Sequence, residues 1–214
     1  MLAIIQAAGW PIWPLLVCSI GALAVVLERL SSLRTQRVMP PRLVDEVIAL
    51  TRTSLPSLDV VKKLGDSSVL GAVLASGVRA VISEPRIGAD ALRATFETAG
   101  RAAVHRLERY LNTLGTIASA APLLGLMGTV IGMIEIFGSQ TPGGGNPAQL
   151  AHGISVALYN TAFGLMIAIP SLMFYRYFRG LVDAYTLEME QAAARLVPHL
   201  LRFAVPRHAP AEPR

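Results

Sequence analysis

The sequence predicts an all-α membrane protein with three transmembrane helices, its N-terminus outside and its C-terminus in the cytoplasm. Two runs, Leu111 to Phe137 and Leu150 to Tyr175, are long enough to cross a bilayer and almost wholly apolar. About 20 such residues span the hydrocarbon core. A further apolar run continues through the N-terminal stretch to Leu27. The positive charges then fix the orientation. Arg29 is the first lysine or arginine, no other occurs from Tyr110 through Tyr175, and the rest lie at 34–109 or 176–214. Both basic regions share one side when three spans are drawn, and the positive-inside rule makes that side the cytoplasm.

Composition agrees. Of 214 residues, 53% are hydrophobic and 15% charged, against about a quarter charged in soluble domains. The net charge of +5 is explained by topology, so nucleic acid is not an expected partner, whereas the lipid bilayer is. The single cysteine, Cys18, cannot form an intrachain disulfide.

Taken in order, residues 1–9 are expected outside and 10–30 in the first span. That segment lacks a basic leader region and reads as an uncleaved anchor. Trp10 and Trp13 mark its outer end, where amphipathic rings favour the headgroup layer. Residues 31–110 form a cytoplasmic helical segment. Up to residue 88 it is interrupted by Pro40, Pro41, Pro56, Gly65, Gly71 and Pro85, which predicts several short helices. Leu43, Val47 and Leu50 give one apolar stripe, and Val69, Val73 and Gly77 another.

From Asp90 the pattern lengthens. Leu92, Phe96, Ala99, Ala103, Leu107 and Leu111 recur at spacings of three and four. This predicts one helix over 90–138, roughly 70 Å long, that enters the membrane as the second span, 111–138, and bends at Pro122. Residues 139–148, rich in glycine, form the outer loop. Asn146 is a good helix cap and Pro147 suits the first helical position. The third span covers 149–175, with Pro170 expected to kink it. Below it, 176–214 carries a helical extension whose stripe, Val182, Tyr185, Met189, Ala193 and Leu196, runs down to Pro198. A loose tail follows from 199. Phe174, Tyr175, Tyr177 and Phe178, with Arg176 and Arg179, form the inner aromatic belt. Long second and third helices thus extend into the cytoplasm.

The second span places Ala118, Pro122, Gly125, Thr129 and Gly132 on one face, with Gly128 and Gly132 as a GxxxG pair. The third span does the same with Gly153, Ala157, Thr161, Gly164 and Ala168, beside Asn160. Small faces let membrane helices approach closely, so Gly125, Gly128, Gly132, Gly153, Ala157, Gly164 and Pro170 are assigned to helix packing. Thr129, Thr161 and Asn160 are assigned to a polar lining, because their side chains can order water or meet a carboxylate. Neither face carries a charged residue at mid-membrane. Glu28, Glu135 and His152 fall near the span ends and read as interfacial. A hydroxyl or amide cannot hold a proton reversibly near neutral pH, whereas a suitably placed carboxylate or imidazole can. A proton carrier on this path therefore has to come from another chain. His105 with Glu108 reads as a surface contact. The glycine patterns fit neither a dinucleotide fingerprint nor a phosphate loop. No residue in the sequence is assigned a catalytic role, and neither a cofactor nor a metal is expected.

At these faces the chain resembles the MotA/TolQ/ExbB family, and ExbB-like members most. The matching stretches are APLLGLMGTVIGMI from Ala121 to Ile134 and GISVALYNTAFGLMIAIP from Gly153 to Pro170. The resemblance implies a homopentamer whose second and third spans line a central pore. It implies a single-span ExbD- or TolR-like partner bearing a membrane aspartate, and a TonB-like protein that carries the work to outer-membrane transporters. Thr129 and Thr161 match the family's pore threonines. One departure is Val156, where many ExbB and TolQ proteins have glutamate. The implied function is a proton-channel subunit of an inner-membrane motor driven by the proton motive force, with a TolQ-like role in envelope maintenance as the alternative. A small-solute transporter fits less well, since the chain lacks the internal repeat expected of one, and a membrane scaffold leaves the polar faces unexplained.

Overall fold

The computed structural model describes residues 10–138 and 147–204, and every regular element among them is helical. The expected outer N-terminus 1–9, most of the loop 139–148, the cap Asn146 and the end of the tail lie outside the described residues. So do the side chains of His152 and Val156. The helices are α1 Ile12–Ser32, α2 Thr35–Val38, α3 Leu43–Leu50, α4 Leu58–Ser67, α5 Val69–Ser83, α6 Ala89–Leu107, α7 Leu111–Gly138 and α8 Pro147–Leu201. Three of them, α1, α7 and α8, are long and apolar enough to cross a membrane. They correspond to the three predicted spans, and α8 begins at the proline whose fixed φ suits a first helical turn.

The described residues fall into two compact units, one within Met1–Leu30 and Tyr110–Arg179, the other within Ser31–Arg109 and Gly180–Arg214. The first unit is built from α1, α7 and the first part of α8. Leu15, Ala121 and Ala168 meet in its core, with Leu124, Phe163 and Ile167 packed around them. Large side chains on its outer faces stay exposed, among them Leu23, Leu123, Ile134, Met166 and Met173. In water that exposure is costly; in hydrocarbon it is the expected surface.

The second unit has an ordinary buried core. Leu74, Val78, Leu92, Val182, Leu196 and Leu200 are all within it. The α4–α5 corner is set by Ser68, whose Oγ accepts the Gly71 N–H at 2.9 Å. Gly71 has to be glycine there, because a Cβ would stand 2.2 Å from the Leu64 carbonyl oxygen. The Tyr185 hydroxyl, on the lower part of α8, donates to the Leu33 carbonyl at 2.8 Å in a buried setting. Tyr185→Phe is expected to lower the thermal stability of this unit by about 1 kcal/mol, the net worth of one buried hydrogen bond. A melting curve on the purified chain tests it; an unchanged midpoint would count against the bond.

Three expectations are corrected. The helix predicted over 90–138 is two helices, because the chain breaks between Leu107 and Leu111. Tyr110 takes the left-handed conformation there, with φ 65, and its carbonyl accepts the Leu114 N–H at 3.1 Å to start α7. The Arg29 guanidinium lies 5.5 Å from the centre of the Tyr110 ring. Arg29 is itself buried and paired with Glu28, so Tyr110 is held by tertiary packing. Secondly, α8 does not stop at Pro198 but runs to Leu201. Pro198 removes one N–H close to the helix end, and the buried Leu196, Val197 and Leu200 outweigh that loss. Thirdly, Leu50 does not join the stripe of Val47. It is 55% exposed, and Ile48 is buried in its place.

Gly180 stands inside α8 at the start of its second-unit part, and a Cβ there would meet nothing within 4 Å. Gly180→Ala is therefore expected to raise stability by about 1 kcal/mol, the difference in helix propensity. A rise in melting temperature checks this.

Candidate functional site in the helical hairpin

The small faces of α7 and α8 meet. A Cβ on Gly125 would stand 2.8 Å from the Asn160 carbonyl oxygen and 3.1 Å from Thr161 Cα. One on Gly164 would stand 2.6 Å from the Ala121 carbonyl oxygen, and one on Gly132 would stand 3.3 Å from Ala157 Cβ. Gly153 faces Ile136 in the same way, at 2.4 Å from Cδ1. Residue numbers rise along α7 as their partners fall along α8, so the two helices are antiparallel. The seam is close enough for backbone to touch backbone, which is what glycine at both contact faces permits.

Six of the seven residues assigned to packing lie on this seam. Pro170 does not. It is exposed and borders a groove shared with α1, beside Phe163, Met166 and Phe174. The polar residues divide. Asn160 is buried at 2% exposure, packed directly onto Gly128, where a Cβ would lie 3.0 Å from Asn160 Nδ2. Thr161 is partly buried, and its Oγ1 donates to the Gly125 carbonyl across the seam at 3.4 Å. Thr129 lies at the border of the seam, partly exposed, and its Oγ1 donates to the Leu126 carbonyl of its own helix at 2.7 Å. Each hydroxyl keeps its lone pairs for a further partner. Thr129 and Thr161 thus flank the Gly125–Gly164 contact, and Asn160 sits within the seam in the single chain.

Glu28 is engaged with Arg29, whose Nη2 donates to Glu28 Oε1 at 2.7 Å. Glu135 is exposed near the end of α7. Among the described residues no three His, Cys, Asp or Glu side chains gather as a metal site. The seam thus offers two hydroxyls and one amide, groups that relay or orient a proton but do not store it.

One polar face escaped the sequence reading. Asn112, Thr116 and Ser119 are exposed on α7 and border a cavity of about 600 Å³ together with Tyr175. Their spacing of four and three is the signal that could have found them, but it lies among apolar residues that dominate the span.

Residues 66–191 match the MotA/TolQ/ExbB proton channel family. The chain belongs to that family. Across its length the family member is 31% identical over 200 residues to the biopolymer transport protein ExbB-like 3 of Synechocystis, covering 87% of this chain and 89% of that protein. It is 30% identical over 173 residues to the biopolymer transport protein exbB1 of Vibrio cholerae, covering 78% and 74%. A shorter match, 38% over 100 residues, is to the Tol-Pal system protein TolQ of Pseudomonas aeruginosa and covers 44% of this chain and 43% of that one. MotA/TolQ/ExbB membership and the three apolar helices make it a multi-pass membrane protein of a proton-channel family. The α7–α8 seam lies wholly inside the matched region.

Proposed function

We propose that this chain is the proton-channel subunit of an inner-membrane motor that couples the proton motive force to work at the outer membrane through a TonB-like protein. Several copies, a pentamer by resemblance, surround a single-span ExbD- or TolR-like partner. Thr129 and Thr161 then face that partner's membrane carboxylate, and Asn160 supports the lining from within the seam. The N-terminus lies outside and the second unit lies in the cytoplasm. One observation carries the reading. The hairpin sets two hydroxyls beside a glycine seam, yet no Asp, Glu, Lys, Arg or His occurs from Leu111 to Ile134 or from Gly153 to Phe174. A proton path built here needs its titrating group from a second protein.

The TolQ match supports a second client, envelope maintenance, served by the same mechanism. Native mass spectrometry of the complex from its own membranes tests the assembly. The expected result is a pentamer with a co-purifying single-span protein that carries a membrane aspartate, and the identity of that protein separates the two clients. A monomer or dimer without such a protein, repeated in several detergents, would overturn the reading in favour of a transporter or scaffold.

A further inference from the structure

The second unit carries a groove that the proton path does not use. It lies between α6 and the last part of α8, with a volume of about 740 Å³. Val73, Phe96, Met189 and Val197 give it apolar walls. Gly100 borders it from the middle of α6, and a Cβ there would meet nothing within 4 Å. Glycine weakens a helix interior, and no neighbour in this chain requires it at this position. Its absent side chain leaves the groove open to close approach from outside. On the rim, Glu97 is paired with Arg101 at 2.5 Å, whereas Glu190 is exposed and makes no ion pair among the described residues.

The same unit presents a surface of matching chemistry. On α4, Val61 is buried in the core at 1% exposure, while Leu58 is 59% exposed. Leu58 is therefore not a core residue of its own chain, nor does it fill its own groove. Lys62 follows it one helical turn later on the same face. It too is exposed and makes no ion pair among the described residues. An apolar knob beside a lone cation matches an apolar groove beside a lone carboxylate.

We propose that the groove receives Leu58 of a second copy of this chain, with that copy's Lys62 against Glu190. Knob and groove are different surfaces, so the contact is head-to-tail. A head-to-tail contact repeats from copy to copy and closes into a ring where its rotation allows. The inference rests on the homo-oligomer reading above and adds the surfaces that join the copies outside the spans.

Cross-linking of the full chain in its native membranes tests it. In a Cys18→Ser background, Leu58→Cys combined with Ala193→Cys is expected to give a ladder of disulfide-linked multimers under a mild oxidant. Neither single variant should do so. Leu58→Cys with Ala194→Cys serves as a second pair, since both alanines line the groove. Lys62→Glu is expected to lower the ladder yield by about tenfold, and adding Glu190→Lys to restore it, as for a complementary interfacial pair. Native mass spectrometry of the unsubstituted chain and of each pair accompanies the gels. An intact oligomer with no ladder from either pair overturns this contact alone, as does an apolar molecule co-purifying in the groove of that unlinked oligomer. A monomeric unsubstituted chain overturns the oligomer reading and this contact with it.

Discussion

Gly164→Val is expected to force α7 and α8 apart and cost roughly 3 kcal/mol or more, the upper range for overpacking a tight contact. The reason is the identity of the obstacle. A single Cβ at 164 would already stand 2.6 Å from the Ala121 carbonyl oxygen and 3.2 Å from Gly125 Cα. Both are backbone atoms inside a helix, so neither can swing away as a flexible side chain would. Valine adds two methyl groups to that clash. The folded fraction measured against increasing denaturing detergent gives the cost. The Gly180→Ala variant, in the same helix but with open space around it, is the matched control and should move the other way. A Gly164→Val chain as stable as the unsubstituted one would mean that the seam is looser than described.

Thr161→Val is expected to separate function from folding. Valine keeps the branched shape and removes only the hydroxyl. The bond lost within the chain is long, 3.4 Å to the Gly125 carbonyl, so the folding cost should stay under about 1 kcal/mol. Under the proposed function the proton flux through the reconstituted complex should fall by about fivefold or more, since one hydrogen bond missing from the path is worth roughly 1 kcal/mol. Thr161→Ser, which restores the hydroxyl, should recover most of it. Equal flux in all three chains, with assembly intact, would remove Thr161 from the path and favour a packing role.

Much of this architecture is legible because its elements are long and strongly periodic. The recurrence of Leu92, Phe96, Ala99, Ala103 and Leu107 at spacings of three and four predicts the buried face of α6; four of the five are buried and Ala99 is partly exposed. Pro147 marks the start of α8, and the small residues of the two spans mark the faces that meet. The break at residues 108–110 has no such mark. Leu107, Glu108 and Arg109 are good helix formers, and no proline or glycine intervenes. Tyr110 turns left-handed where its ring lies under Arg29, a residue 81 positions away by their numbers. Local propensity holds no information about that contact.

The same limit applies at the candidate site. Periodicity says that Asn160 and Thr161 share a region of α8, but not what stands opposite them. Thr161 reaches the Gly125 carbonyl, and Asn160 turns into the seam against Gly128. Pro170 is a packing candidate by its place in an apolar span, yet it borders the groove on the side of α1. Which helix covers which face is decided by packing among three helices, and a single stretch of sequence records only that a face is small.

The contact between Gly128 and Asn160 carries a consequence for descent. A side chain at 128 and an amide at 160 compete for one volume, since the first Cβ would lie 2.8 Å from Asn160 Cβ. Position 128 is therefore free to change only after position 160 has. The nearest obstacle is Asn160 Cβ itself, so only a lineage that brings glycine to 160 gains room for alanine or serine at 128, while any other residue at 160 holds glycine opposite it. Exchange at 128 alone meets a barrier that a prior exchange to glycine at 160 removes, so the order of substitutions runs through 160 first.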